Sequence, residues 1–168
     1  MKRKTSPALY LTRGAIIAAL YVVLTYIASL LGLSSGVIQL RISEALCILP
    51  IFLPEAVPGL YAGCLIANLV TAANPFDIIF GSLATLLGAI GARMMRKLPT
   101  KLMWLATLPT VIANAVIVPP ILIFAYGVPD GYPFILMTVT IGEVLSAGVL
   151  GYLLYLGLKK SKFDLKVK

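Results

Sequence analysis

Three polar side chains interrupt long apolar stretches of the sequence: Asn68, Asn114 and Glu143. An acidic residue at the centre of a membrane-spanning helix costs about 2.5–3.5 kcal/mol, so such a residue usually faces the interior of a helix bundle and serves a function. Convergent carboxamide and carboxylate groups in apolar surroundings are typical of a pocket for a polar small molecule. The alternative is that each group forms a hydrogen bond that joins two helices.

Four further candidates lie closer to the ends of the apolar stretches. Arg41 and Glu44 stand three residues apart, which predicts either a local ion pair or ligand contacts at the outer entrance. Asp77 can cap the start of a helix or contact a ligand, and Tyr61 can stack on a planar ring. The predicted ligand-binding residues are Glu143, Asn68, Asn114, Glu44, Arg41, Asp77 and Tyr61.

Several kinds of chemistry are excluded by residue types that the sequence lacks. There is no histidine, so histidine-based catalysis and proton relays are excluded. A phosphate-binding Walker A motif is also absent from the sequence, so the chain cannot hydrolyse ATP by itself. We therefore predict a non-catalytic protein with no cofactor and no metal site. Cys47 and Cys64 lie inside apolar stretches and are expected to be buried free thiols.

The elements that position these residues are predicted to be membrane helices. Hydrophobic residues make up 60% of the 168 residues and charged residues only 12%, about half the charged fraction of a soluble domain. We predict an all-α integral membrane protein, a six-transmembrane-helix bundle that forms a single membrane domain over residues 1–168. The predicted spans are residues 14–33, 37–53, 56–73, 76–95, 102–126 and 134–158.

Nearly all of the 14 basic residues fall in three clusters. The clusters are Lys2, Arg3, Lys4 and Arg13; Arg93, Arg96, Lys97 and Lys101; and Lys159, Lys160, Lys162, Lys166 and Lys168. Basic residues accumulate on the cytoplasmic side of a membrane, so the chain should cross an even number of times between clusters. This requirement makes the polar segment 37–53 a predicted span and places both termini in the cytoplasm. The net charge of +8 is then a topology signal beside anionic lipid, and no nucleic acid is expected as a partner.

Small residues follow one face of the first predicted span. Ala15 and Ala19 are one helical turn apart, a spacing that permits another helix to approach closely. Six spans are few for an alternating-access carrier, which is usually built from paired repeats. A small binding protein that works with partner subunits is therefore favoured.

Three segments of the chain resemble the QueT family, whose members are S components of energy-coupling factor (ECF) transporters. The segments are QLRISEAL at residues 39–46, PGLYAGCLIAN at 58–68 and DIIFGSLATL at 77–86. The resemblance extends from Thr12 to about Leu158. It implies a substrate-binding subunit of an importer in the cell membrane, a multi-pass protein that captures its ligand from outside.

The resemblance also implies partners and a substrate. A transmembrane T subunit and two cytoplasmic ATPases supply the energy in such transporters, and Ala15 and Ala19 match the family's small-residue motif for docking on the T subunit. The implied substrate is a queuosine precursor, meaning queuine or a 7-deazaguanine. A carboxylate, Glu143 or Glu44, is expected to accept hydrogen bonds from the guanine-like edge, as it does from arginine.

Other interpretations remain open at this point. The ligand can be another vitamin or amine, such as thiamine or tryptophan. The protein can also be a self-contained secondary carrier that works as an oligomer. A membrane enzyme acting on lipids is the third alternative, and it lacks a credible set of catalytic residues.

Overall fold

The computed structural model describes residues 6–33, 39–71 and 74–161, and every regular element in these ranges is helical. The predicted all-α class is therefore confirmed. Part of the loop predicted between the first two spans lies outside the described residues. Some of the basic residues near the two termini lie outside them as well. The helices are α1 Pro7–Leu30, α2 Ile42–Ile51, α3 Ala56–Thr71, α4 Asp77–Lys97, α5 Thr100–Phe124 and α6 Tyr132–Lys160.

Four of these helices, α1, α4, α5 and α6, are long and apolar enough to cross a membrane. The other two are shorter than the segments 37–53 and 56–73 that the sequence predicts as spans. At the usual rises, the ten residues of α2 extend about 20 Å and the sixteen of α3 about 24 Å. The hydrocarbon layer is about 30 Å thick. Pro50 removes a backbone donor in the last turn of α2, and Pro54 lies in the turn that separates α2 from α3, so neither helix extends further on this side.

The short helix α2 lies at the centre of the bundle. It is a 3-10 helix, and all of its residues from Ser43 to Pro50 are buried. It contacts α1, α3, α4, α5 and α6. A helix that is buried on every side needs no polar face, which explains why its sequence shows no clear amphipathic period.

One end of the bundle, which we call the basic end, carries contacts from all three basic clusters. Arg13 Nη1 lies 3.2 Å from Glu55 Oε1, which joins the start of α1 to the start of α3. Arg93 Nη1 donates to backbone carbonyls at the end of α2, the nearer at 2.9 Å. Lys159 Nζ donates to Thr100 Oγ1 at 2.8 Å, which joins the end of α6 to the start of α5. The described members of the three clusters therefore lie at the same end.

Glycines allow α1 and α3 to pack with their backbones in contact. A Cβ atom on Gly59 would lie 2.6 Å from the carbonyl oxygen of Gly14, and one on Gly63 would lie 2.9 Å from the Cα of Ala18. Small residues four apart on both helices are typical of close helix pairs in membranes. This packing brings α1 close enough to position its polar residues beside α2.

Candidate functional site

A cavity of about 370 Å³ lies at the end of the bundle opposite the basic end. Its volume falls in the range of about 300–1,000 Å³ that is usual for small-molecule sites. The walls come from α1, α3, α4 and α5, from the segment before α2, and from the segment after α5. The polar residues that line it include Thr25, Gln39, Arg41, Asn68, Asp77 and Tyr126.

A charged pair forms one wall of the cavity. Arg41 Nη2 lies 3.6 Å from Asp77 Oδ2, and the Tyr126 hydroxyl donates to the same carboxylate oxygen at 3.3 Å. The prediction that Asp77 caps α4 is wrong, because Asn74 performs that role. The Asn74 Oδ1 accepts from the backbone N–H of Phe76 at 3.0 Å. The Asp77 carboxylate is therefore free of the helix end and faces the cavity.

Asn68 joins the cavity wall to the start of α4. Its Nδ2 donates to the backbone carbonyl of Asp77 at 3.1 Å and lies 3.6 Å from the Cys64 sulfur. Gly81 leaves space for this contact, since a Cβ there would lie 3.0 Å from both the Asn68 amide and the Asp77 carboxylate. Asn68 therefore joins two helices and lines the cavity, so the two roles predicted for it are compatible.

Glu44 lies inside the bundle and not at the entrance. Its Oε1 accepts from the Tyr21 hydroxyl and from Thr85 Oγ1 at 3.3 Å, and its Oε2 accepts from the Cys47 thiol at 3.1 Å. The predicted Arg41–Glu44 ion pair is wrong. Arg41 precedes α2 with non-helical backbone angles, φ −99° and ψ 88°. Its side chain therefore turns towards Asp77 instead of following the face of α2.

Glu143 and Asn114 are neighbours in the interior, on α6 and α5, and neither lines the cavity. Glu143 is 5% exposed and Asn114 is 1% exposed. Within the described residues, four buried side-chain atoms on α5 and α6 have no hydrogen-bond partner: Thr110 Oγ1, Asn114 Nδ2, Glu143 Oε2 and Ser146 Oγ. We call these four residues the inner polar cluster. Each unsatisfied buried group costs about 1–3 kcal/mol, so the cluster is expensive to keep in an otherwise apolar bundle.

The predicted set of ligand residues therefore divides into two layers, with one residue outside both. Arg41, Asn68 and Asp77 line the cavity. Glu44, Asn114 and Glu143 lie deeper. Tyr61 does not line the cavity, because it lies about 10 Å nearer the basic end than Asn68 on α3. Stacking of Tyr61 on a ligand therefore stays a prediction without support from this cavity.

Sequence reasoning missed eight of the eleven described residues that line the cavity, among them Tyr126, Thr25 and Gln39. Tyr126 is the aromatic residue that lines the cavity, while Thr25 and Gln39 contribute a hydroxyl and an amide. Thr25 lies in the apolar stretch of α1, so its single hydroxyl gave a weak signal. Tyr126 stands just after α5 and just before Gly127, whose φ of 65° marks a turn. That position offers no periodicity from which to predict its orientation.

Ala15 and Ala19 lie on a face of α1 that stays exposed among the described residues. Both are exposed, whereas Ala18 and Gly14 face α3. Large exposed side chains, including Leu11 and Ile16, surround the two alanines. The small residues therefore form a shallow depression in an apolar surface.

Comparison with known proteins places the chain in a family. A family model described as QueT transporter matches residues 11–160. The queuosine precursor transporter QueT of Lactococcus lactis subsp. cremoris (strain MG1363) is 40% identical over 72 residues, which cover 43% of this chain and 42% of that protein. No solved structure matches the chain. Given the family match and the long apolar helices, the chain is a multi-pass membrane protein that belongs to the QueT transporter family.

Proposed function

We propose that this protein is the substrate-binding S component of an ECF-type importer and that it captures a queuosine precursor from outside the cell. The observation that carries the proposal is the cavity, which holds Arg41, Asp77 and Asn68 at the end opposite the basic clusters. The Lactococcus relative matches over less than half of each chain, and its name supports a queuosine precursor as the class of substrate.

Six membrane crossings with both termini in the cytoplasm form part of the proposal. Contacts at the basic end join residues from all three basic clusters. If that end is cytoplasmic, as basic residues favour, the chain returns to the same side between clusters. In this arrangement α2 and α3 together supply the second and third crossings despite their short lengths. The cavity then faces the outside.

The polar groups of the cavity are complementary to a guanine-like ring. Adjacent N–H groups on the ring edge can donate to the Asp77 carboxylate, and a ring carbonyl can accept from Arg41. Asn68 can complete the set with its carboxamide. Tyr126 supplies an aromatic face for stacking, the role that sequence analysis assigned to Tyr61.

The same proposal includes a transmembrane T subunit and two cytoplasmic ATPases as partners. The exposed face with Ala15 and Ala19 suits close approach of a helix from the T subunit. Replacing Ala15 with leucine should fill the depression and reduce co-purification of the T subunit about tenfold. Ala62→Leu, the same change at an exposed position of α3, is the matched control and should have no effect.

The ligand is tested by mass spectrometry of small molecules released from the purified, detergent-solubilised protein. A deazaguanine is expected, and its affinity should fall at least tenfold, or about 1.4 kcal/mol, in Arg41→Gln. Arg96→Gln, the same change at an exposed position of the basic end, should bind as the wild type does. Release of a different vitamin, or unchanged binding by Arg41→Gln, would contradict the proposal.

A further inference from the structure

Asn74 connects the ends of two neighbouring helices beside the cavity. Its side-chain oxygen Oδ1 accepts from the backbone N–H of Phe76 at 3.0 Å, which caps the start of α4. Its side-chain nitrogen Nδ2 donates to the backbone carbonyl of Ala125 at 2.7 Å, directly after the last residue of α5. Carbonyl groups at the end of a helix have no partner inside the helix. One carboxamide therefore satisfies backbone groups at both helix ends.

The two contacts of Asn74 need different chemical groups. Aspartate and serine cap the start of a helix about as well as asparagine does, because each has a side-chain oxygen that accepts. A carboxylate has no N–H to donate, whereas a carboxamide carries an acceptor and two donors. A serine hydroxyl sits on Cβ and does not extend to the position of Nδ2. Capping alone therefore leaves the residue type open, and the contact with Ala125 requires the carboxamide.

Two cavity residues lie next to the helix ends that Asn74 joins. Asp77 comes three residues after Asn74, and Tyr126 comes directly after Ala125. Both line the cavity, and the Tyr126 hydroxyl donates to Asp77 Oδ2 at 3.3 Å. Asn74 is not among the described residues that line the cavity, so any effect that it has on binding passes through these neighbours.

Asp77 and Tyr126 depend on Asn74 to different degrees. Asp77 is also held from two other directions, because its backbone carbonyl accepts from Asn68 Nδ2 at 3.1 Å and its Oδ2 lies 3.6 Å from Arg41 Nη2. Tyr126 lies beyond the end of α5 and is 43% exposed, so its orientation depends on how that end is held. Loss of the donor at Asn74 should therefore release Tyr126 and leave Asp77 in place.

We propose that Asn74 is a positioning residue for ligand binding, which holds the Tyr126 ring at the cavity by fixing the end of α5 to the start of α4. This proposal rests on the proposed function, in which Tyr126 stacks on the ring of the ligand. Stacking depends on the separation and the angle of the two rings. A movement of the end of α5 should therefore weaken binding while the rest of the bundle stays folded.

Asn74→Ser tests this role, because serine retains the cap of α4 and removes the donor to Ala125. Calorimetric titration of the full detergent-solubilised chain with 7-deazaguanine should give about fivefold weaker binding, or about 1 kcal/mol. In a Tyr126→Ala background the same change should weaken binding less than about 1.5-fold. Unchanged affinity in Asn74→Ser would overturn the proposal. So would an equal loss in both backgrounds, since a general effect on folding does not depend on Tyr126.

Thr100→Val is the matched control. It removes another side-chain hydrogen bond between helix ends, from Lys159 Nζ to Thr100 Oγ1 at 2.8 Å, which joins α6 to α5 at the basic end. This variant should bind 7-deazaguanine as the wild type does. Equal losses of affinity in Thr100→Val and Asn74→Ser would mean that any such contact has the same effect, and would overturn the specific role of Asn74.

A measurement without ligand distinguishes failure of this role from failure of the proposed function. The protein is labelled with fluorotyrosine, and the Tyr126 signal in the fluorine NMR spectrum is identified by its absence in Tyr126→Phe. Asp77→Asn should shift this signal in the wild type but not in Asn74→Ser, where the hydroxyl no longer reaches the carboxylate. If 7-deazaguanine does not bind the wild type, the proposed substrate class is wrong, and the positioning role is judged from this signal. The same shift in both backgrounds would overturn it.

Discussion

Replacing Gly63 with alanine tests whether the contact between α1 and α3 is as close as the structure describes. A Cβ atom on Gly63 would lie 2.9 Å from the Cα and the carbonyl oxygen of Ala18 and 2.9 Å from the Cβ of Tyr21. Two of these atoms belong to the backbone, so the clash cannot be relieved by a change of rotamer. The two helices must move apart, and overpacking of this kind costs about 1–3 kcal/mol.

A matched control removes the intrinsic difference between glycine and alanine. Alanine is favoured over glycine inside a helix by about 0.8–1.0 kcal/mol. Gly157 on α6 has no atom within 4 Å of an added Cβ, so Gly157→Ala should gain up to this amount. Gly63→Ala gains the same propensity but also incurs the packing cost. The two variants should therefore differ by about 1–3 kcal/mol, with Gly63→Ala the less stable.

Unfolding of both variants by titration with a denaturing detergent in mixed micelles measures this difference. The movement of α1 should also displace Thr25, which lines the cavity and donates to the Ser43 hydroxyl of α2. Ligand affinity is therefore expected to fall in Gly63→Ala and to stay unchanged in Gly157→Ala. Equal stabilisation of the two proteins would refute the close backbone contact and the reasoning built on it.

Three further changes test individual contacts. Tyr21→Phe removes the hydroxyl that donates to the buried Glu44 carboxyl and should destabilise the protein by about 1–3 kcal/mol, measured by the same unfolding titration. Asp77→Asn removes the carboxylate that pairs with Arg41 and should lower the free energy of unfolding by about 1–2 kcal/mol, between the values for surface and buried ion pairs. A double-mutant cycle with Arg41→Gln that finds no coupling energy would contradict this. Asn74→Ala removes the cap of α4 and the hydrogen bond from Asn74 Nδ2 to the Ala125 carbonyl, and should cost about 1–2 kcal/mol, with faster amide exchange at the start of α4 and the end of α5.

Composition and motifs were sufficient to predict the helical class and the family. Long apolar runs leave few alternatives to membrane helices, and motifs such as DIIFGSLATL depend on residue identity alone. These properties depend only on the order of residues along the chain, so no knowledge of helix packing is needed to infer them.

The orientation of individual side chains could not be predicted in the same way. Arg41 and Glu44 have a spacing that suits an ion pair, but the non-helical backbone at Arg41 sends their side chains to different layers. Asn114 and Glu143 were expected to share one pocket with Asn68. They lie deeper than the cavity: Asn114 stands about 12 Å nearer the basic end than Leu122, the α5 residue that lines the cavity, and none of the described lining residues comes from α6.

The enclosed position of α2 has a consequence for how the protein is made. A ten-residue segment that carries a carboxyl group is too short and too polar to partition into lipid by itself. During synthesis it should therefore enter the bilayer paired with α3, as a hairpin, and be retained only once α4 to α6 close around it. Truncation of the chain before α6 is thus expected to leave α2 exposed to quality-control proteases, even though α1 and α3 would already be in place.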